Sequence, residues 1–177
     1  MYLNSFRQGW SMAKLAVLTG YPACGKSTVS RFLERDMGYA RLSGDDISEE
    51  LFGHTYPYSE GEDPERIWQM IHQRRDRLLA EGRDVVIDTT AYDGQRRAGL
   101  FSTPAPAEKY LVWLQVSPKT MAKRGKGKKW AEGSIERWKA KVGWEDPEEG
   151  EYHLLVYAND TQADKERIKS ELIKELA

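Results

Sequence analysis

A chain of 177 residues, 40% hydrophobic and 31% charged, has room for one compact domain and none for a second of ordinary size. Its 27 Lys and Arg against 28 Asp and Glu leave a net charge of -1, so overall electrostatics make no case for a dedicated duplex-binding protein. A lone cysteine, Cys24, forms no internal disulfide, and His54, His72 and His153 are too scattered to suggest zinc. No run approaches the ~20 apolar residues of a membrane span, and the expected setting is cytoplasmic, without a membrane partner.

Residues 1–13 carry no periodic pattern, and Met12 offers an internal start, so they read as an N-terminal leader or extension and 14–177 as the domain. Residues 15–18 (Leu-Ala-Val-Leu) form a short apolar strand running into Thr19-Gly20, and from Lys26 the apolar residues Val29, Phe32 and Leu33 recur at helical spacing. A second strand over 39–42 leads to Ser43-Gly44-Asp45-Asp46, with a short helix expected over 47–52 and Asp46 as its cap. Pro64 opens a helix with Ile67, Ile71 and Leu78 on one face, stopped by Gly82. Residues 84–87 form a strand apolar enough to be covered on both faces, ending in Asp88-Thr89-Thr90. A strand over 110–115, a helix opened by Ser117-Pro118, a strand over 154–157 and a helix over about 164–176 complete the chain. Alternating strands and helices imply a parallel sheet of five strands covered by helices on both faces, an α/β fold.

Charge is segregated once. Residues 119–141 hold nine Lys or Arg against two Glu, and 144–151 hold five acids and no base. Either this is a solvated helical face, or it is a basic lid over roughly 119–143 followed by an acidic hinge. Trp130 and Trp138 lie among the cations and suit packing of the lid or base stacking.

Between the first strand and its helix stands Gly20-Tyr21-Pro22-Ala23-Cys24-Gly25-Lys26-Ser27, matching G-x-x-x-x-G-K-[ST]. Glycines let backbone N–H groups converge on phosphates, and the helix N-terminus adds partial positive charge. Lys26 then reaches the β- and γ-phosphates, Ser27 offers Mg²⁺ a hydroxyl, and Thr28 lies near the α-phosphate or caps the turn. Cys24 is a small side chain that fits, or a thiol poised for oxidation near a helix N-terminus.

In parallel α/β sheets, ligands bind outside the carboxyl ends of the strands. There Asp45 is the candidate to take a proton from an attacking hydroxyl, in preference to Asp46. Asp88 would hold a Mg²⁺-bound water or the acceptor, and Arg96, or less favourably Arg97, would clamp an acceptor or a phosphate. In the lid, Arg124, Lys126, Lys128 and Lys129 are the candidates to offset transition-state charge, Arg124 foremost.

This order of motifs resembles the small P-loop kinases of the polynucleotide 5′-hydroxyl kinase and zeta-toxin-like group, over about residues 14–176. The resemblance implies the three-layer P-loop NTPase fold, with ATP and Mg²⁺ as cofactors. It implies Asp45 as general base, Asp88 ordering acceptor or metal, Arg124 and Lys128 gripping ATP, and Asn159-Asp160 beside the adenine. Three positions depart from the group: Ser48 where polynucleotide kinases carry an acceptor-gripping arginine, Thr90 for an asparagine, and Lys128 for a second lid arginine. A polynucleotide 5′-hydroxyl is the leading acceptor expected. A small-molecule acceptor, with residues 54–63 forming part of its pocket, and an NTP-dependent switch or binding module are the alternatives.

Overall fold

Runs such as Leu15-Ala16-Val17-Leu18 and Val85-Val86-Ile87, apolar at every position, are stable as strands only where both faces are covered, and all seven residues are fully buried. The computed structural model describes residues 12–55, 58–126 and 135–177. Five parallel strands, β1 (Ala13–Thr19), β2 (Ala40–Ser43), β3 (Val85–Asp88), β4 (Ala107–Gln115) and β5 (His153–Ala158), lie in the order β2-β3-β1-β4-β5. They alternate with α1 (Lys26–Met37), α2 (Gly44–Phe52), α3 (Glu65–Ala80), α4 (Gly94–Phe101), α5 (Pro118–Gly125), α6 (Ile135–Val142) and α7 (Gln162–Leu176). This is the expected α/β fold. Among the described residues no helix is long and apolar enough to cross a membrane.

Side chains on successive strand residues point to opposite faces, so each strand feeds two cores. Ala16, Leu18, Val86, Val112 and Leu114 meet Val29 and Leu33 of α1 and Ile168, Leu172 and Leu176 of α7. Leu15, Val17, Val85, Ile87 and Leu111 meet Ile47 of α2, Ile67, Ile71 and Leu78 of α3, and Leu100 and Phe101 of α4. Each such aliphatic side chain contributes about 1.5–3 kcal/mol on burial. The register pairs Asp88 with Leu18 on one side and with Ser43 on the other, which brings the carboxyl ends of β1, β2 and β3 together.

Several expected boundaries move. β2 runs one residue later than 39–42, and β4 begins at Ala107 rather than 110. α2 begins at Gly44, so Asp45 and Asp46 belong to its first turn, and its cap is Ser43, whose side chain accepts from the Asp46 amide. Asp46 is therefore not the cap. Ser43-Gly44-Asp45-Asp46 carries a serine cap signal with an acid three residues on; the more conspicuous Asp pair drew the start of the helix too late. The described parts of the basic region are the helices α5 and α6. Lys128, Lys129 and Trp130 lie outside the described residues, as does the side chain of Trp138.

One buried charge holds the α3–α4 layer. Arg75, 2% exposed, donates to the carbonyls of Gly99 (2.9 Å), Leu100 (2.8 Å) and Ser102 (2.8 Å) and to Asp76 Oδ1 (2.8 Å), filling orphan acceptors at the end of α4. Arg75→Met keeps the volume and strands the buried Leu100 carbonyl, while Gly99 O keeps the Ser102 amide. It is expected to lower the unfolding free energy by about 3 kcal/mol in urea titrations, and a loss well under about 1 kcal/mol would contradict this role.

Candidate active site

The loop from Gly20 to Ser27 closes tightly because its residues take conformations that few side chains tolerate. Gly20 and Gly25 have φ of 142° and 103°. A Cβ on Gly20 would lie 2.3 Å from Leu114 O, and one on Gly25 would lie 2.4 Å from Asn159 Nδ2. Ala23 is left-handed too, at φ 60°, which turns successive amides into an anion-binding concavity. Helix α1 starts at Lys26 with no side-chain cap and no acid in its first turn, so its leading N–H groups and dipole face the loop. Lys26 Nζ donates to the carbonyls of Gly20 (2.9 Å) and Tyr21 (3.0 Å) and lies 3.6 Å from Cys24 Sγ. Cys24 itself is fully buried, so its thiol packs the loop and is not presented to oxidants.

Two further residues brace the loop. Asn159, at the end of β5, donates through Nδ2 to Cys24 O (2.7 Å), and its Oδ1 is a buried acceptor without a hydrogen bond among the described residues. Arg124, at the end of α5, donates to Ala23 O (3.1 Å) and Asp160 O (3.4 Å). Asp160 in turn accepts from the amide and hydroxyl of Ser117 at 2.9 and 2.7 Å. Its hydrogen bonds from Thr120 and Ser117 hold its carboxyl below the usual carboxylate value. Pro22 lies half-buried at the loop's edge, and Tyr21 sits against Trp144, ring centroids 4.7 Å apart, with Lys139 Nζ 5.0 Å over its ring. Thr28 is exposed on the first turn of α1. Gly25→Ala puts a side chain into strained left-handed backbone, costing about 1–2 kcal/mol, and against Asn159. Nucleotide affinity is expected to fall about tenfold or more in calorimetric titrations; wild-type affinity would contradict the cradle.

Beside the loop stand three carboxylates. Asp88, 7% exposed, accepts through Oδ2 from Ser30 Oγ (2.8 Å) and Arg41 Nη2 (3.2 Å). Asp46 accepts from Arg41 Nη1 at 2.5 Å. Asp45 has no ion pair among the described residues and reaches solvent. Loss of hydration around its carboxyl, then the charges of Asp88 and Asp46, push its pKa above the ordinary value of 3.8, against the pull of Lys26 and Arg41. Like charges so close favour one protonated member, and Asp45 is the group left free to exchange a proton.

Mg²⁺ fits this donor set. The Ser27 hydroxyl and the second oxygen of Asp88 are hard oxygen donors without a hydrogen bond among the described residues. No group of three or more His, Cys, Asp or Glu among those residues forms a metal cage. Few protein ligands beside phosphates is the way Mg²⁺ is usually held.

Other expected site residues are placed differently. Arg96 has its guanidinium 4.7 Å over the Trp68 ring and 4.9 Å over the Tyr92 ring, 3.5 Å from Asp93 and 3.6 Å from Glu65. Arg97, considered as a second clamp, is buried and donates to Ala91 O (3.1 Å), Glu145 O (3.0 Å) and Asp146 O (3.4 Å); it ties chain to chain. The acidic run is no free hinge, because the Gly94 amide donates to Glu145 Oε2 (2.6 Å) and the Glu145 amide to Tyr92 O (2.8 Å). Ser48 is buried and donates to His54 O (2.7 Å). His54 pairs with Glu62 at 3.0 Å, closing the segment expected to flank an acceptor. A cavity of about 790 Å³ beside the acidic run is lined by Arg97, Phe101, Lys109, Glu145 and Tyr152, and its lining includes neither the P-loop nor Asp45, Asp46 or Asp88.

Sequence reasoning missed Arg41, Ser30, Thr19 and Ala91. Thr19 Oγ1 bonds the carbonyls of Thr90 (2.9 Å) or Ala91 (3.2 Å), which holds the chain after Asp88 in a turn where Ala91 has φ 44°. Little short-range marks these residues, since the bonds that bring them to the site, Ser30 to Asp88, Arg41 to Asp88 and Thr19 to Thr90 and Ala91, span 47 to 72 positions.

The profile of the AAA domain family matches residues 15–143. Shikimate kinase of Moorella thermoacetica is 32% identical over 108 residues, 61% of this chain and 61% of that protein, so the chain spans under two thirds of that relative. A crystal structure from Chloroflexus aurantiacus superposes with a TM-score of 0.71 at 21% identity, covering 95% of this chain and 98% of the other. The Mycobacterium tuberculosis APS kinase in complex with AMPPNP and APS gives a TM-score of 0.67 at 18% identity, with 93% and 98% covered. At such identities the two structures speak for the fold.

Proposed function

The chain belongs to the AAA domain family, and from that premise we propose that it is an ATP-dependent kinase that moves the γ-phosphoryl group of ATP to a hydroxyl of a small molecule. The observation that carries this reading is Asp45: an unpaired carboxylate with a raised pKa, beside a phosphate cradle whose other carboxylates are bound. Transfer to an alcohol needs such a proton acceptor.

Ser27 and Asp88 would hold Mg²⁺, which would supply positive charge against the phosphate oxygens. Lys26 exchanges the carbonyls of Gly20 and Tyr21 for the β- and γ-phosphates, and the α1 amides receive the remaining charge. Asp45 takes the proton as the acceptor oxygen bonds to the γ-phosphorus and the bond to the β-phosphate oxygen breaks, releasing ADP. Arg124 and Asn159 keep the loop in shape from behind. Arg96, held over the Trp68 and Tyr92 rings, is the candidate to meet the acceptor.

A small acceptor is preferred to the polynucleotide end expected from the sequence resemblance. The relatives are named for small acceptors, shikimate and APS, and the position of the acceptor-gripping arginine is the buried Ser48. The test is ADP release from ATP and Mg²⁺ with a panel holding shikimate, APS, simple sugars and a 5′-hydroxyl oligonucleotide. Stimulation by a small hydroxyl compound supports the reading; stimulation by the oligonucleotide alone overturns its acceptor, and stimulation by none, with steady hydrolysis, favours a switch.

A further inference from the structure

Three carboxylates at the ends of two strands repel one another unless a permanent cation separates them. Among the described residues, the cation bonded to two of them, Asp46 and Asp88, is Arg41 on β2, whose side chain is 8% exposed. Each face of its fork is used once: Nε donates to Ser30 Oγ (2.9 Å), Nη1 to Asp46 Oδ2 (2.5 Å) and Nη2 to Asp88 Oδ2 (3.2 Å). Ser30 Oγ itself donates to the same Asp88 oxygen (2.8 Å), so Arg41, Ser30 and Asp88 close a ring of hydrogen bonds.

We propose that Arg41 is a positioning residue for the transfer: by occupying Asp46 and one oxygen of Asp88, it leaves Asp45 and the other Asp88 oxygen as the groups that act. It thus sorts two adjacent aspartates in one helical turn into a bound one and a free one. The proposal rests on the kinase reading for the role of Asp45, while its consequence for Asp88 needs only nucleotide and metal.

The geometry demands a guanidinium. Three acceptors in three directions match the planar fork, and an ammonium on a flexible stem meets them one at a time. Ser30 is the second support, anchored on the first turns of α1 next to Ser27, so the helix that presents one oxygen donor also aims the carboxylate that presents the other.

The experiment measures ATP affinity by calorimetry, with Mg²⁺ and with EDTA, for wild type, Arg41→Lys and Arg41→Ala. Arg41→Lys keeps the charge and the stem, and so stays informative if Arg41→Ala does not fold. Orienting partners of metal ligands are worth about 10–100-fold; the Mg²⁺-dependent gain in ATP affinity is expected to fall about tenfold or more in Arg41→Lys, with affinity in EDTA within about twofold of wild type. Folded Arg41→Ala is expected to regain part of the gain when free guanidinium is added. Equal losses with and without Mg²⁺ would mark a purely structural residue and overturn the proposal, as would an unchanged gain in Arg41→Lys. None of these readouts uses an acceptor, so failure of the kinase reading in the acceptor panel is seen separately.

Discussion

Lys26→Ala is expected to lower phosphoryl transfer by about a thousandfold or more while the protein unfolds at its wild-type temperature. Transition-state charge in phosphoryl transfer is carried on the oxygens that Lys26 would meet, and a single fixed donor in a water-poor site is worth about 10²–10³-fold; a full positive charge is worth at least as much. The fold depends little on it, because among the described residues Lys26 Nζ bonds two loop carbonyls and, of the core side chains, meets the Cys24 sulfur at 3.6 Å. Steady-state turnover beside a thermal melt decides the matter. Wild-type turnover in the variant would remove the loop from the chemistry.

Asp45→Asn is the second large effect. If Asp45 takes the acceptor proton, its amide cannot, and transfer is expected to drop by about a hundredfold or more with ATP affinity unchanged. The pH profile gives an independent sign. The Asp45 pKa is raised by loss of hydration first and by Asp88 and Asp46 next, so wild-type activity should climb as pH rises through a value above 3.8, where the base becomes available. That limb should be missing from the variant. Stability runs the other way: a carboxyl whose folded pKa is raised binds its proton more tightly in the folded state, so its contribution is greatest at low pH and is lost as pH rises through the raised value. At neutral pH Asp45→Asn should therefore be as stable as wild type or more so. Unaltered turnover and an unaltered acid limb would shift the base to another group.

What the sequence disclosed and what it hid separate by distance along the chain. The phosphate loop was legible because its eight residues are contiguous and each answers a local need: glycine where Leu114 O and Asn159 crowd the backbone, a lysine and a hydroxyl at the start of a helix. Asp88 was legible from the all-apolar strand before it. Arg41 was not, since its role exists only once the register sets Ser43 beside Asp88 and brings β2 against α1. Arg97 misled for the same reason: on α4 alone it reads as a surface cation, and only the packing of 145–146 over that helix buries it. The acidic run looked like a hinge because charge suggests solvent, while its actual bonds use the Glu145 side chain and backbone against α4.

The most direct test of the account follows the label of γ-labelled ATP in the presence of Mg²⁺ and a mixture of small hydroxyl compounds, with wild type, Lys26→Ala and Asp45→Asn side by side. The account predicts label on a small organic product with wild type, almost none with either variant, and little free phosphate. Label released only as phosphate, at a rate indifferent to the acceptor mixture and to Asp45, would contradict it.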